Sequence, residues 1–126
     1  LALERSGIPS GRVGHVNAHA TSTPVGDRVE AEVLARTMPG AAVSATKSLT
    51  GHLLGGAGGL EAVLTVMALN EEWLPPTLLP GGIDPEISRL GLDIVGPYGR
   101  RAPGLTTAVS TSFGFGGHNV VLVLSR

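Results

Sequence analysis

Residues 60–69, LEAVLTVMAL, are apolar on every side of a helix and carry a single carboxylate, Glu61. A helix with no polar face is buried all round instead of lying on a surface, so this segment is read as the core helix of the domain. What surrounds it follows from composition. Hydrophobic residues make up 42% of the chain but aromatics only 3%, so the core is built from closely packed Val, Leu and Ala, helped by 19 glycines. That suits an α/β domain with tight contacts between helix and sheet.

The flanking sequence supplies the sheet. Residues 12–18, RVGHVNA, read as a short strand running into a polar loop, HATSTPVG. A helix follows with Asp27 as N-cap, Glu30 completing a capping box, and Val29, Val33, Leu34 and Met38 at helical spacing, until Pro39-Gly40 ends it. AAVSATK (41–47) is a second strand and SLTGHLLGGAGG a glycine-rich loop leading into the core helix. Residues 73–91 are rich in proline and turns, with WLPPT extended and DPEISRLG a loop of at most one helical turn. LDIV forms a short strand, and TTAVSTSF and NVVLVLSR flank the turn GFGGH as a hairpin. This order gives an α/β fold, with helices packed on a mixed, mostly parallel sheet that has an antiparallel edge. At 126 residues the chain fits one domain, 1–126. LALERSGI reads as the end of a helix, with Gly7 as its C-terminal cap and Pro9 beyond it, and no methionine starts the chain. A fragment of a longer protein is therefore expected.

Several function classes are set aside by the same residues. A net charge of −1 leaves no electrostatic footprint for nucleic acid or an anionic membrane. No apolar run approaches the ~20 residues of a membrane span, and no signal peptide is evident, so a cytoplasmic location is the default expectation. The absence of cysteine removes disulfides, thiolate metal sites and a cysteine nucleophile from this chain. Eight arginines accompany one lysine, Lys47. Coding bias is enough to explain that choice, although a lone lysine also marks a place where a compact, adjustable charge is wanted.

His15 and His19, four apart, raise the question of a metal. On a strand that spacing spans roughly 13 Å, too far for one ion, and there is no H-E-x-x-H motif, so no metal site is expected. His15 is read as a packed or partly exposed strand residue. His19 stands where the strand ends and the polar loop begins, the usual place for ligands in open α/β sheets. His52 occupies a second such loop, five residues after Lys47. The two imidazoles and the ammonium are expected to cluster, and the alternative, histidines merely satisfied by backbone partners, stays open on these residues alone. Glu61 is the only carboxylate between Lys47 and Glu71 and sits on a helix that is to be buried. It needs a partner, and Lys47 is the candidate, whether for function or as a structural ion pair. GHLLGGAGG fits neither a phosphate-binding loop nor a dinucleotide fingerprint. Its glycines instead allow close backbone approach, leaving the N–H groups of the core helix near the cluster, where they favour developing negative charge.

These stretches together, HATSTPVGD, KSLTGH with the glycine run and Glu61 after it, LPPT and SFGFGGHN, resemble the C-terminal part of the β-ketoacyl-acyl carrier protein synthases of type II, over essentially the whole chain. The resemblance implies a thiolase-like fold in which two similar halves face each other across the active site, this chain being the second half. It implies a decarboxylative Claisen condensation of acyl and malonyl thioesters in fatty acid elongation. No metal or organic cofactor is implied, and the implied partners are acyl carrier protein bearing acyl and malonyl groups, the missing N-terminal half and a second copy in a homodimer. By motif, His19 and His52 match the two histidines that hold the malonyl thioester carbonyl, Lys47 the family lysine and Glu61 its companion glutamate. Phe115 matches a gating residue near the acyl pocket whose backbone N–H joins the oxyanion hole. Thr21 and Thr23 match hydroxyls of the pantetheine channel, with loop stabilisation as their simpler role.

Ala20 stands where many relatives have glycine. The nucleophilic cysteine belongs to the missing half, so the fragment alone is expected to be inactive. Two alternatives remain in view, a non-catalytic partner similar to a chain-length factor and a polyketide ketosynthase. Retention of both histidines and the lysine argues against the first, and HATSTP in place of H-G-T-G-T against the second.

Overall fold

The computed structural model describes residues 1–126. The chain opens with α1 (Ala2–Ser6), which Gly7 ends in the left-handed conformation, φ 68°, as a C-terminal cap. β1 (His15–Asn17), α2 (Pro24–Thr37), β2 (Ala42–Ser44) and the short helical turn α3 (Lys47–Thr50) lead to the core helix α4 (Ala57–Glu71). β3 (Trp73–Leu74), α5 (Pro85–Ser88), β4 (Asp93–Ile94) and β5 (Arg100–Arg101) are short. The chain ends in the long pair β6 (Thr107–Gly114) and β7 (His118–Ser125).

One sheet has the order β4-β2-β1-β6-β7, while β3 and β5 pair separately. β1 runs parallel to β2 and β6, β2 parallel to β4, and only β7 is antiparallel to its neighbour. This is the mixed, mostly parallel sheet with an antiparallel edge that the sequence order implies. The three residues of β1 are all buried, as expected of a central parallel strand covered on both faces. Val16 joins Ala18, Leu34, Met38, Val43 and Val109 in a core between the sheet and α2. Ala42, Leu69, Leu74, Val95, Leu105 and Ala108 form a second core on the α4 side.

Three sequence expectations need correction. α2 begins at Pro24, with Thr23 as its N-cap and proline in the first turn, where its missing N–H costs nothing. Asp27 is therefore inside the helix and Glu30 in its second turn, too far along for a capping box. The glycine-rich stretch is not all loop, since it contains α3 and a 3-10 turn at Leu54–Gly56. His15, read as packed or partly exposed, is packed and wholly buried. α4 is not buried all round. Glu61, Thr65, Ala68 and Leu69 are buried, but Val63 is 56% exposed and Met67 53%, so one side of the helix is left uncovered. No helix is long and apolar enough to cross a membrane.

Candidate active site

Because β1, β2 and β6 are parallel, their carboxyl ends share one edge of the sheet, and the loops leaving β1 and β2 meet there. His19 follows β1, Lys47 and His52 follow β2, and Ser112 and Phe113 lie at the end of β6. The rings of His19 and His52 stand 5.8 Å apart and nearly perpendicular, 89° between planes. The clustering expected from the sequence is therefore present.

The loop carrying His19 is strained and tethered. Ala20 and Ser22 have positive φ, 32° and 63°, a region that disfavours side chains with a Cβ. Glu30, reaching back from α2, holds this turn in place. Its Oε1 accepts from the His19 N–H at 2.9 Å and its Oε2 from the Ala20 N–H at 2.8 Å. Thr111 of β6 donates its hydroxyl to Glu30 Oε1 at 2.6 Å and lies 3.1 Å from the same His19 N–H. One buried carboxylate thus ties α2, β6 and the His19 turn together. Sequence reasoning gave Glu30 a capping role and missed this one. Pro24 directly after a good N-cap threonine was the available signal, since it moves the helix start and frees Glu30 for another partner.

Lys47 opens α3 and pairs with Glu61 of α4; their side chains are 4% and 3% exposed. The ion pair expected from the isolated carboxylate is thus buried as well as formed. Around it, Thr46 donates to the side-chain oxygen of Asn17 at 2.9 Å, and Asn17 Nδ2 and the Thr65 hydroxyl both donate to the Glu61 carbonyl, at 3.3 and 2.7 Å. β1, β2 and α4 are locked to one another at the level of the cluster. The second carboxylate oxygen of Glu61 has no hydrogen-bond partner. Close approach of α4 to β6 depends on Gly58, where a Cβ would meet the Ser112 hydroxyl at 3.1 Å. This is the close packing that the glycine run anticipates.

His52 sits just past the end of α3, which Gly51 closes with φ 72°. Its Nδ1 accepts the Leu54 N–H at 3.2 Å, which leaves Nε2 as the ring nitrogen that can donate to a ligand. Burial and the Lys47 charge hold the His19 imidazole below its ordinary pKa, with His52 adding to the effect and Glu30 and Glu61 opposing it. The neutral form of His19 is thereby favoured, and a neutral imidazole can polarise a carbonyl without protonating it. Two imidazole N–H donors beside a buried ammonium suit an oxygen on which negative charge develops.

The remaining expected residues lie at the margin. The hydroxyls of Thr21 and Thr23 are hydrogen-bonded to each other at 3.3 Å at the mouth of the loop. Gly26 makes room for Thr23, because a Cβ there would collide with its hydroxyl. The Phe115 side chain is 98% exposed, on a turn that Gly116 and Gly117 carry through positive φ. It is Phe113, not singled out in the sequence, that contacts His19, at 5.5 Å between ring centroids. A cleft of about 290 Å³ lies behind the loop, between α2 and residues 77–87, and receives none of His19, Lys47, His52 or Glu61. The cluster itself opens on the surface of these residues.

Comparison with known proteins agrees with this geometry. Residues 1–79 match the family model of the C-terminal domain of β-ketoacyl synthases. The chain is 47% identical to 3-oxoacyl-(acyl-carrier-protein) synthase 2 of Synechocystis sp. over 99% of its length, covering 30% of that protein. It is 42% identical to the enzyme of the same name from Vibrio cholerae, again over 99% of this chain and 31% of the relative. The chain therefore spans under a third of the curated relatives it matches. Among solved structures, a β-ketoacyl synthase from Burkholderia phymatum superposes with a TM-score of 0.90 at 38% identity, over all of this chain and 30% of that one. The ishigamide ketosynthase/chain length factor gives 0.89 at 28% identity, over 98% and 30% of the two chains. With a thiolase-like fold and a sequence match that begins at its first residue, this chain belongs to the β-ketoacyl synthase family and corresponds to its C-terminal domain.

Proposed function

We propose that the chain supplies the decarboxylating side of a β-ketoacyl-acyl carrier protein synthase that elongates fatty acids. In this reading the rest of the synthase contributes a cysteine that carries the acyl group as a thioester. Malonyl-acyl carrier protein enters past Thr21 and Thr23, and its thioester oxygen is held by the N–H groups of His19 and His52. The bond between the malonyl methylene and its carboxylate breaks, carbon dioxide leaves, and the electron pair is held as an enolate. The enolate carbon then attacks the acyl thioester carbonyl; a carbon–carbon bond forms and the cysteine sulfur departs as thiolate. Lys47, fixed by Glu61, supplies positive charge beside the imidazoles, and Phe115 gates the acyl pocket. The observation that carries this reading is the pairing of the His19 and His52 rings, 5.8 Å apart, at the strand ends that also carry the buried Lys47–Glu61 pair.

Alone, the chain has no thiol to accept an acyl group and is catalytically silent. Its exposed apolar residues, Val63, Val66 and Met67 on α4 and Val120 and Leu122 on β7, offer a surface for the remainder of a cytoplasmic, dimeric synthase. The likeness to a structure containing a chain-length factor keeps a non-catalytic partner as the second reading, disfavoured by the intact His19, Lys47 and His52. In the full-length synthase carrying this chain, His19→Ala or His52→Ala should slow carbon dioxide release from labelled malonyl-acyl carrier protein about a hundredfold to a thousandfold. Acyl loading of the cysteine should persist. Release at the parental rate in His52→Ala would remove that histidine from the mechanism.

A further inference from the structure

The main chain of His19 is fixed by Glu30 and Thr111, but its ring is not fixed by any hydrogen bond. His19 Nδ1 is buried and has no partner. The torsion that turns an imidazole about its Cβ–Cγ bond is broad, so in the absence of a hydrogen bond the neighbouring surfaces decide where the ring nitrogens point. Two rings border it, His52 at 5.8 Å and Phe113 at 5.5 Å, the latter at 72° between planes. Both are edge-to-face arrangements, which aromatic quadrupoles favour over stacking.

The two neighbours are not equivalent. His52 lies on an exposed, glycine-bounded loop, whereas Phe113 is half-buried on β6 and paired in register with Asn119 of β7. β6 also carries Thr111, which grips the backbone of the same histidine. One rigid strand therefore holds His19 at two points, by a hydroxyl at its amide and by a phenyl ring at its imidazole.

We propose that Phe113 is a positioning residue, whose ring sets the orientation of the His19 imidazole and so aims its N–H at the reacting carbonyl. This rests on the reading of His19 as a donor to the thioester oxygen. Phe113 touches no substrate in this role. The two phenylalanines of SFGF then have separate tasks, Phe113 behind the imidazole and the exposed Phe115 at the entrance.

The test uses the full-length synthase carrying this chain, with Phe113→Ala, Phe113→Leu and Phe113→Tyr. A misplacement of about 1 Å in a positioned group can cost about a hundredfold, so Phe113→Ala should lower the turnover of carbon dioxide release between tenfold and a hundredfold. Phe113→Leu, which keeps the bulk but loses the aromatic face, should also lose turnover. Phe113→Tyr should restore most of it. KM for malonyl-acyl carrier protein and the rate of acyl loading should stay within about twofold throughout. The His19 imidazole, observed by nitrogen-15 NMR, should give one set of resonances in the parent and Phe113→Tyr, and broadened or doubled resonances in Phe113→Ala. Equal losses of loading and decarboxylation with a lower melting temperature, or full turnover in Phe113→Leu, would overturn the positioning role. If His19→Ala itself releases carbon dioxide normally, the mechanism fails first, and the NMR comparison still decides whether Phe113 orders the ring.

Discussion

Replacing Lys47 by methionine removes the ammonium from a pair whose side chains are only 4% and 3% exposed. The stem is kept, so little packing is lost. What remains is Glu61 with neither oxygen on a charged partner, since Oε2 has no hydrogen bond even in the parent. Stranding a buried charge costs about 3 to 5 kcal/mol. A domain has only about 5 to 15 kcal/mol in total, so Lys47→Met should be near the edge of folding. Glu61→Leu should be milder in its electrostatics but strands the ammonium in turn. The double variant, which removes both charges, should recover much of the loss, because replacing a buried pair with apolar groups is often neutral or stabilising by about 1 to 4 kcal/mol. Urea unfolding of the parent and the three variants, in the full-length synthase, closes this cycle, and carbon dioxide release measured beside it separates folding from chemistry. The double variant should fold and still fail to decarboxylate at the parental rate. A Lys47→Met cost under about 1 kcal/mol, the level of an exposed pair, would refute the buried-pair reasoning.

Three further outcomes follow from the same structure. Glu30→Gln keeps one acceptor oxygen but sets an NH2 against a backbone N–H of the His19 turn; stability should fall by about 1 to 3 kcal/mol, and decarboxylation should fall more than acyl loading does. The pKa of His15, wholly buried, is lowered by burial from 6.5 to about 4, so the folded state binds fewer protons than the unfolded one. Its contribution is therefore complete above pH 6.5 and lost as pH falls towards 4, about 3 kcal/mol in all; urea unfolding of His15→Gln across that window should show a flatter pH dependence than the parent. Finally, the chain expressed alone should self-associate through the apolar face of α4, and light scattering that shows a monomer at all concentrations would count against that surface being an interface.

How far the sequence reaches can be judged residue by residue. Gly7 ends its helix as predicted, because a left-handed C-terminal cap is a local demand that a glycine announces. The alternation of short apolar strands with helices predicts a mostly parallel sheet for the same reason: the patterning is local. Glu61 and Lys47 are paired as expected, since a lone carboxylate on an apolar helix needs a counter-charge and the neighbouring sequence offers one. Glu30 and Phe113 are different. Glu30 meets the His19 turn through the path of the loop between β1 and α2, eleven residues away, while Thr111 and Phe113 reach that turn from far along the chain and only because β6 lies beside β1. A glutamate three residues after an aspartate reads equally well as a capping box, and only the helix start at Pro24 shows that it is not. The same holds for α4, whose uniform apolarity determines that it is to be buried but not by what. The sheet covers Glu61 and Leu69, while Val63 and Met67 stay exposed. Periodicity, caps and isolated charges are written in the sequence because each acts over a few residues. The tether on the His19 turn, the ring against its imidazole and the uncovered side of α4 are decided by strands and helices brought together from distant parts of the chain.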